Sequence, residues 1–338
     1  MIRLVRTELY RWGGRTLLWV LAVVTVAFAV LVPVSAWNDS KPPSAQDVAL
    51  AQQQVDDYEA PPQADIDQCL ADEAAEREAT GDPTLDWGCE WEPTVADFLP
   101  WRQYFDTDAE GGVAGMAVFL VLAGLLMGAS FVAAEFSTGA IGNWLTFAPR
   151  RGRVLTSKLT ATALGYLPTA LAATVVLAGG TWLAFSVNDA MRNPNVYEDG
   201  TGQGPDLLTP ENLALMGARI VAVAVAMAVA GAALGFLLRH TAAVLGLVLG
   251  WAVVVEGILR NLVPRLQPYT LGLNLDAWVR GGTQYGIDRC EYDPENGGTM
   301  CETVYHQVSQ AHGAVVLGLV VVVLVGLAAL VFRRRDVS

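Results

Sequence analysis

Residues 111–134 read GGVAGMAVFLVLAGLLMGASFVAA, a run without a single charged side chain. A helix needs about 20 consecutive apolar residues to cross the roughly 30 Å hydrocarbon core of a bilayer. Only helices and closed barrels can span lipid, because every backbone N–H and C=O must be bonded within the protein. The apolar residues here are continuous rather than alternating, so the stretch predicts a membrane-spanning helix and not a barrel strand.

Five further apolar blocks of similar length occur in the 338-residue chain, of which 53% is hydrophobic and only 16% charged. A soluble domain of this size would need more charge to cover its surface. The sequence therefore predicts an all-α membrane protein with six transmembrane helices. We predict a cytoplasmic amphipathic entry helix at 1–16, spans at 17–37, 111–134, 159–187, 212–238, 241–259 and 313–332, an acidic outer loop at 38–110, a cytoplasmic connection at 135–158, an outer loop at 188–211, an outer or re-entrant segment at 260–312 and a cytoplasmic tail at 333–338.

The distribution of Lys and Arg orients these spans, because basic residues collect on the cytoplasmic side. With both termini inside, the short cytoplasmic segments hold most of the basic residues and few acids. The first outer loop is the opposite: between Asn38 and Gly111 it carries 19 acids against Lys41, Arg77 and Arg102. That loop either concentrates cations or is a solvated charged shell. The basic residues assigned to the inside are Arg3, Arg6, Arg11, Arg15, Arg150, Arg151, Arg153, Lys158, Arg239 and Arg333 to Arg335.

The first span also has features of a secretory signal. An Arg-rich head precedes an apolar run that ends in Val34-Ser35-Ala36, a pattern typical of a cleavage site. Cleavage there would leave five spans and an external N-terminus. The run is longer than a usual signal core, so we favour an uncleaved first span.

The four cysteines all fall in predicted outer loops, Cys69 and Cys89 in the first and Cys290 and Cys301 in the last. The outer side is oxidising, so two disulfides are expected there, with one local bridge in each loop as the simplest pairing. Pairing across the loops and four free thiols remain alternatives. Zinc is disfavoured because no CxxC pair or clustered His accompanies them.

Sequence motifs for catalysis are missing. The chain has no GxxxxGK[ST] phosphate loop, no HExxH metal motif and no GxSxG nucleophile elbow. It also lacks the concentrated basic face that nucleic acids require. We therefore expect a protein that is not an enzyme, that carries no cofactor or metal of its own and that has no nucleic-acid partner.

The connection between the second and third spans reads EFSTGAIGNWLTFAPRRGRVLTSK from residue 135 to residue 158. Its apolar residues share one face at helical spacing, which predicts a short amphipathic helix at the inner membrane surface. This helix is either a membrane anchor or a docking element for a cytoplasmic partner. Glu135 lies at the end of a span, where a carboxylate is costly unless it is docked, snorkels to the interface or pairs with Arg151 or Lys158.

This connection resembles that of the ABC-2 type permeases, the membrane subunits of ATP-binding-cassette exporters. The matching positions are Glu135, Gly139, Leu145, Pro149, Arg151 and Lys158, whereas Ala140 stands where many members have Thr. The run from Leu4 through Thr7-Glu8-Leu9-Tyr10-Arg11 is similar to the entry helix of that family. The resemblance implies a type V exporter-like fold with both termini inside.

The resemblance also implies a mechanism and partners. The connection would be a coupling helix seated in a cleft of a separate cytoplasmic ATPase, which binds ATP and Mg. A second permease copy, identical or related, and membrane lipid complete the assembly in a bacterial cell membrane. The exported substrate would be amphipathic: a drug, an antibiotic, a peptide or a lipid. The residues implied in coupling are Glu135, Gly139, Trp144, Leu145, Pro149, Arg151 and Lys158.

Two regions keep more than one interpretation. Glu256, near the outer end of the fifth span, either pairs with Arg260 four residues on or lies on the transport path. The stretch 261–282 suits a re-entrant or outer-surface helix. Two other functions also remain open for the whole chain: a non-transporting sensor or scaffold that binds a ligand through its outer loops, and an ion-coupled carrier, which the scarcity of charge in mid-membrane disfavours.

Overall fold

The computed structural model describes residues 1–140, 142, 150–194, 196, 207–293 and 298–334. The chain forms two compact units, one of residues 1–38 and 103–338 and the other of residues 39–102. In chain order the elements are α1 (Ile2–Gly13), α2 (Thr16–Asp39), α3 (Ala45–Asp56), α4 (Gln63–Thr80), α5 (Phe105–Ser137), α6 (Arg151–Val187), α7 (Pro210–Leu238), α8 (Thr241–Leu262), α9 (Leu271–Arg280), β1 (Gly282–Asp293), β2 (Gly298–Ser309) and α10 (Gln310–Arg334).

Within the described residues, six helices are long and apolar enough to cross a bilayer, namely α2, α5, α6, α7, α8 and α10. The predicted six-span, mostly helical membrane fold is therefore confirmed. All six helices are longer than the predicted spans, and two of them differ at the cytoplasmic connection. α5 continues to Ser137 and α6 begins at Arg151, so both extend into the connection expected at 135–158.

Three of the spanning helices depart from regular α-helix. α2 consists of Thr16–Ala29 and Leu31–Asp39, α6 contains a π-helical turn at Val175–Gly179, and α8 contains a longer one at Ala252–Leu259. Pro168 lies within the regular first part of α6. Turns of π-helix widen a helix locally and are often found at functional positions.

The centre of the larger unit is the packing of α5 against α7. In the most apolar 18-residue window of each helix, 61% of the residues of α5 and 67% of those of α7 are buried. Glycines bring the two backbones together. A Cβ placed on Gly128 would lie 2.0 Å from the carbonyl oxygen of Ala228, and one on Gly231 would lie 1.9 Å from that of Leu125. Because no side chain fits in these gaps, small residues at this spacing let the helices approach to backbone contact.

The glycines of α8 are different. Gly246 and Gly250 are four residues apart, as are Gly124 and Gly128 of α5 and Gly231 and Gly235 of α7. A Cβ on Gly246 or Gly250 would nevertheless meet nothing within 4 Å. The apolar window of α8 is only 6% buried. Its small residues therefore do not pack against the described part of this chain.

The segment predicted as outer or re-entrant, 260–312, holds a hairpin that the all-α prediction missed. After a 3₁₀ helix at Pro264–Tyr269 and the short helix α9, strands β1 and β2 pair antiparallel from Gly282↔Ser309 to Asp293↔Gly298. Thr, Val, Tyr and Ile favour extended backbone, and the two strands are rich in them. Cys290 faces Cys301 in this register and the two form a disulfide.

The smaller unit, residues 39–102, is built on α3 and α4. Ser44 caps α3 and shares a capping box with Asp47, and hydrogen bonds from the Ser44 side chain and backbone lower the pKa of Asp47. Cys69 of α4 is bonded to Cys89. Each of the two predicted loops thus contains its own disulfide, which confirms the local pairing.

Candidate functional site

One end of the larger unit gathers basic residues from several elements, and we call it the basic end. It comprises α1, the C-terminal ends of α5, α7 and α10, and the first turn of α6. Three phenylalanines tie the helix ends together: Phe136, Phe236 and Phe332 pack edge to face, with ring centroids 5.0 to 6.4 Å apart. Such pairs favour a fixed mutual geometry. The ends of α5, α7 and α10 therefore meet here as one packed unit.

Beneath α1 lies a group of charged side chains that we call the buried ion cluster: Glu8, Glu135 and Lys158, with Arg11 and Arg15 at its edge. The Nζ of Lys158 is 2.9 Å from Oε2 of Glu8 and 2.5 Å from Oε2 of Glu135. The side chains of Lys158 and Glu8 are 0% exposed and that of Glu135 is 3% exposed. One ammonium thus joins three elements, α1, α5 and α6.

Arg11 and Arg15 add two further cations beside the buried carboxylates. Arg11 lies 3.7 Å from Glu8 and 3.6 Å from Glu135, and Arg15 lies 3.4 Å from Glu135. Nη1 of Arg15 also donates to the carbonyl oxygens of Ser130 and Phe131. Burial lowers the pKa of Arg15, and the charge of Glu135 opposes that shift. Each of the two buried carboxylates therefore has at least two cationic partners, and the cluster has one more positive charge than negative.

The amphipathic pattern of α1 explains how Glu8 reaches this position. Glu8 and Trp12 are four residues apart and share a buried face, while Ile2 and Tyr10 are exposed. Trp12 packs edge to face on Phe131 at 5.0 Å, and it also covers Gly165. A Cβ on Gly165 would lie 2.6 Å from the indole, so only glycine lets α1 lie this close to α6.

The ring of Phe131 forms the apolar floor of the buried ion cluster. The guanidinium of Arg15 lies 5.2 Å from its centroid and the ammonium of Lys158 lies 5.1 Å from it. Cations over an aromatic face are attracted by its negative potential, more strongly where water is excluded. The cluster is thus enclosed by α5 as well as paired with it.

The structure brings together some of the residues predicted for coupling. Glu135 and Lys158 meet in the buried ion cluster. Gly139 follows the end of α5 with φ at +71°, a left-handed conformation that favours glycine, and Arg151 opens α6 and donates to the carbonyl of Phe332 at 3.2 Å. Trp144, Leu145 and Pro149 lie outside the described residues. The coupling role of all these residues remains a prediction.

The sequence analysis missed Glu8, Arg11 and Arg15 as members of this site. A signal was present, because Glu8 is the only acid in a head that holds Arg3, Arg6, Arg11 and Arg15. A single acid on the apolar face of an amphipathic helix, beside Trp12, indicates burial with a partner. Its partner lies 150 residues away, which local pattern does not reveal.

Glu256 takes no part in this site, and of its two interpretations the pair with Arg260 is not formed among the described residues. Its Oε1 accepts a hydrogen bond from the backbone N–H of Leu271 at 2.7 Å and another from Nε1 of Trp251 at 3.3 Å. Leu271 is the first residue of α9, where a carboxylate satisfies an otherwise unbonded N–H and complements the helix dipole. The carboxylate of Glu256 therefore caps α9 and does not pair with Arg260.

Comparison with known proteins agrees with the layout. A family model described as ABC-2 family transporter protein matches residues 5–337. The match includes α1, the buried ion cluster, the hairpin and α10. No curated protein and no solved structure matches the chain significantly.

Proposed function

Because the chain belongs to the ABC-2 family of transporter proteins and is a multi-pass membrane transport subunit, we propose that it is the permease of an ATP-driven exporter. It moves an amphipathic substrate outward, and a separate cytoplasmic ATPase binds ATP and Mg and hydrolyses the nucleotide. Two copies, or one copy with a related permease, form the pathway in a bacterial cell membrane. The basic end faces the cytoplasm, as the distribution of Lys and Arg favours.

The buried ion cluster is the observation that carries this proposal. The segment between α5 and α6 is the predicted contact with the ATPase. Glu135 lies in the last turn of α5 just before this segment and Lys158 lies about two turns into α6 after it, and the two side chains are paired at 2.5 Å. A force applied to this segment therefore acts on α5 and α6 together.

The entry helix α1 moves with them because Glu8 shares the same ammonium. Breaking a buried ion pair leaves an uncompensated charge, at a cost of roughly 3–5 kcal/mol. A rigid connection at this point suits a device that transmits closure of two ATPases to the membrane helices. The edge-to-face contacts of Phe136 with Phe236 and Phe332 extend the connection to α7 and α10.

The test is reconstitution of the chain with its ATPase and measurement of ATP-dependent efflux of an amphipathic dye from proteoliposomes. The key variant is Lys158→Met, which removes the shared cation and keeps a long apolar stem. Arg260→Met is the matched control, because it removes a basic residue of α8 that is not in the cluster. We expect Lys158→Met to keep the ATPase bound but to uncouple ATP hydrolysis from efflux.

Two results would contradict the proposal. One is that no ATPase co-purifies with the chain under any condition. The other is that the rate of ATP hydrolysis by the complex does not change when substrate is added. That result is expected of a sensor or scaffold. Efflux driven by a proton gradient without ATP would favour the ion-coupled carrier.

A further inference from the structure

A groove of about 310 Å³ runs between α7 and α10, away from the basic end and from the buried ion cluster. Its lining is apolar and contains several small residues, and Trp278 of α9 closes one side. The groove is open at Gly318, where a Cβ would meet nothing within 4 Å. Residues that line it include Ala222, Ala226, Trp278, Leu317, Gly318 and Val321.

Arg219 lies on the same face of α7 as the groove, three residues before Ala222 and seven before Ala226. A hydrogen bond also joins the backbone of Arg219 to a residue that lines the groove: Nε1 of Trp278 donates to the carbonyl oxygen of Arg219 at 2.9 Å. The guanidinium of Arg219 lies against α9 next to that tryptophan, because its Nη1 donates to the carbonyl oxygen of Val279 at 3.2 Å, so the cation lies beside the Trp278 side of the groove.

The level of Arg219 along the helix matches the edge of the hydrocarbon. α7 has 29 residues and is about 43 Å long, longer than the roughly 30 Å apolar core of a bilayer. Arg219 lies about 14 Å from the helix start, and its side chain points back toward that end. A long basic side chain in this position brings its charge to the headgroup level.

The charge of Arg219 is not neutralised by the described residues. Its Nη1 donates to the carbonyl oxygen of Val279 at 3.2 Å, and a guanidinium has five donors. Among the described residues no carboxylate lies within 4 Å of it, and the acids Glu110 and Asp276 pair with Arg280. A planar cation with free donors beside an apolar groove matches a phosphate attached to an acyl chain.

We propose that this groove binds one anionic phospholipid of the bilayer, with its phosphate on Arg219 and one acyl chain between α7 and α10. Lipid is favoured over a second copy of this chain because a guanidinium that forms no ion pair with a described carboxylate lies beside the apolar groove, which matches a phosphate joined to an acyl chain. Trp278, with its indole N–H bonded to backbone, forms the interfacial wall, where aromatic residues are common in membrane proteins. This site goes beyond the proposed transport function and does not depend on it.

The experiment is native mass spectrometry of the purified full chain with added phosphatidylglycerol or phosphatidylcholine of the same acyl chains. We expect one phosphatidylglycerol to bind about tenfold more tightly than phosphatidylcholine, because the choline ammonium offsets the attraction between the phosphate and Arg219. Arg219→Gln should remove that preference. Gly318→Leu should weaken binding of both lipids, because the new side chain fills the groove.

Gly326→Leu is the matched control. Gly326 lies on α10 eight residues after Gly318, also has nothing within 4 Å of a Cβ, and is not part of the groove lining. If Arg219→Gln does not fold, Arg219→Lys tests the same site, since a point charge without the planar fork should keep only part of the preference.

Three results would overturn the lipid site. The first is equal binding of the two lipids to the unaltered chain. The second is an equal effect of the Gly318 and Gly326 substitutions. The third is a change in oligomeric state, and not in bound lipid, on substitution of Gly318, which would assign the groove to a second copy.

Discussion

Lys158 and Glu8 are 150 residues apart in the chain, yet their side chains meet in a fully buried ion pair with Nζ 2.9 Å from Oε2. The pair lies between the entry helix α1 and the first turns of α6, and Glu135 of α5 shares its ammonium. Three elements that the sequence separates into a head and two spans are thus joined at one point.

Removal of the shared cation should destabilise the protein strongly. In Lys158→Met two buried carboxylates lose their nearest partner, and we expect a loss of roughly 3–5 kcal/mol in unfolding free energy. Thermal unfolding in detergent measures it. Adding Glu8→Gln to Lys158→Met should recover part of the loss, because one uncompensated charge is then removed. Additive losses in the double variant would show that the two residues are not coupled.

The contact between α5 and α7 should not tolerate a methyl group. In Gly231→Ala the new Cβ would lie 1.9 Å from a backbone oxygen of α5, so the helices must separate and the protein should lose roughly 1–3 kcal/mol or more. Gly246→Ala is the control, since nothing lies within 4 Å there and alanine is the better helix former. Both are compared by their midpoints of thermal unfolding. Equal midpoints would contradict the close packing.

The hairpin disulfide should act locally. Cys290 and Cys301 are separated by 11 residues, and a bridge of this loop length stabilises by roughly 2–3 kcal/mol. With both changed to Ser, amide exchange in β1 and β2 should speed up while exchange in α5 and α7 stays the same. Peptide mapping without reductant should recover the pairs Cys69–Cys89 and Cys290–Cys301. A peptide that joins Cys69 or Cys89 to the hairpin would refute the local pairing.

Glu256 should prove to be a helix cap. In Glu256→Leu the N–H of Leu271 loses its acceptor, and caps of this kind contribute roughly 0.5–2 kcal/mol. Glu256→Gln keeps an acceptor oxygen and should behave nearly as the unaltered chain. Hydrogen exchange at the first turn of α9 separates the two. If Glu256→Gln changed efflux of a cationic dye without changing this exchange, Glu256 would belong to the transport path.

Some features of the fold followed from local composition. Each span could be located because crossing a bilayer demands a long apolar run, and such a run is visible wherever the rest of the chain is polar. The hairpin could not be located in this way. Apolar and polar residues alternate only weakly along its strands, so the two-residue period typical of a half-buried strand is hard to recognise. Exposed polar residues such as Gln284 and Gln307 hydrogen-bond to each other across the hairpin.

The candidate site divides in the same manner. Glu135 and Lys158 stood out because a charge at the end of an apolar run is costly and requires an explanation. Glu8 carried a weaker signal, as the only acid of the basic head, and its partners on α5 and α6 are distant in the chain. Glu256 kept two interpretations, a pair with Arg260 and a place on the transport path, and the structure shows a third contact, the N–H of Leu271.

The sequence by itself determined that this chain crosses the membrane six times, that its cysteines lie in two loops and that one connection resembles those of ABC-2 permeases. These are consequences of length, hydrophobicity and local motif, which neighbouring residues carry. Only the tertiary structure decided which charges are buried together, which glycines hold helices in contact and where a groove remains open. Those depend on which faces meet across distant parts of the chain, because the free energy of a buried charge or a close contact is set by its partner and not by its position.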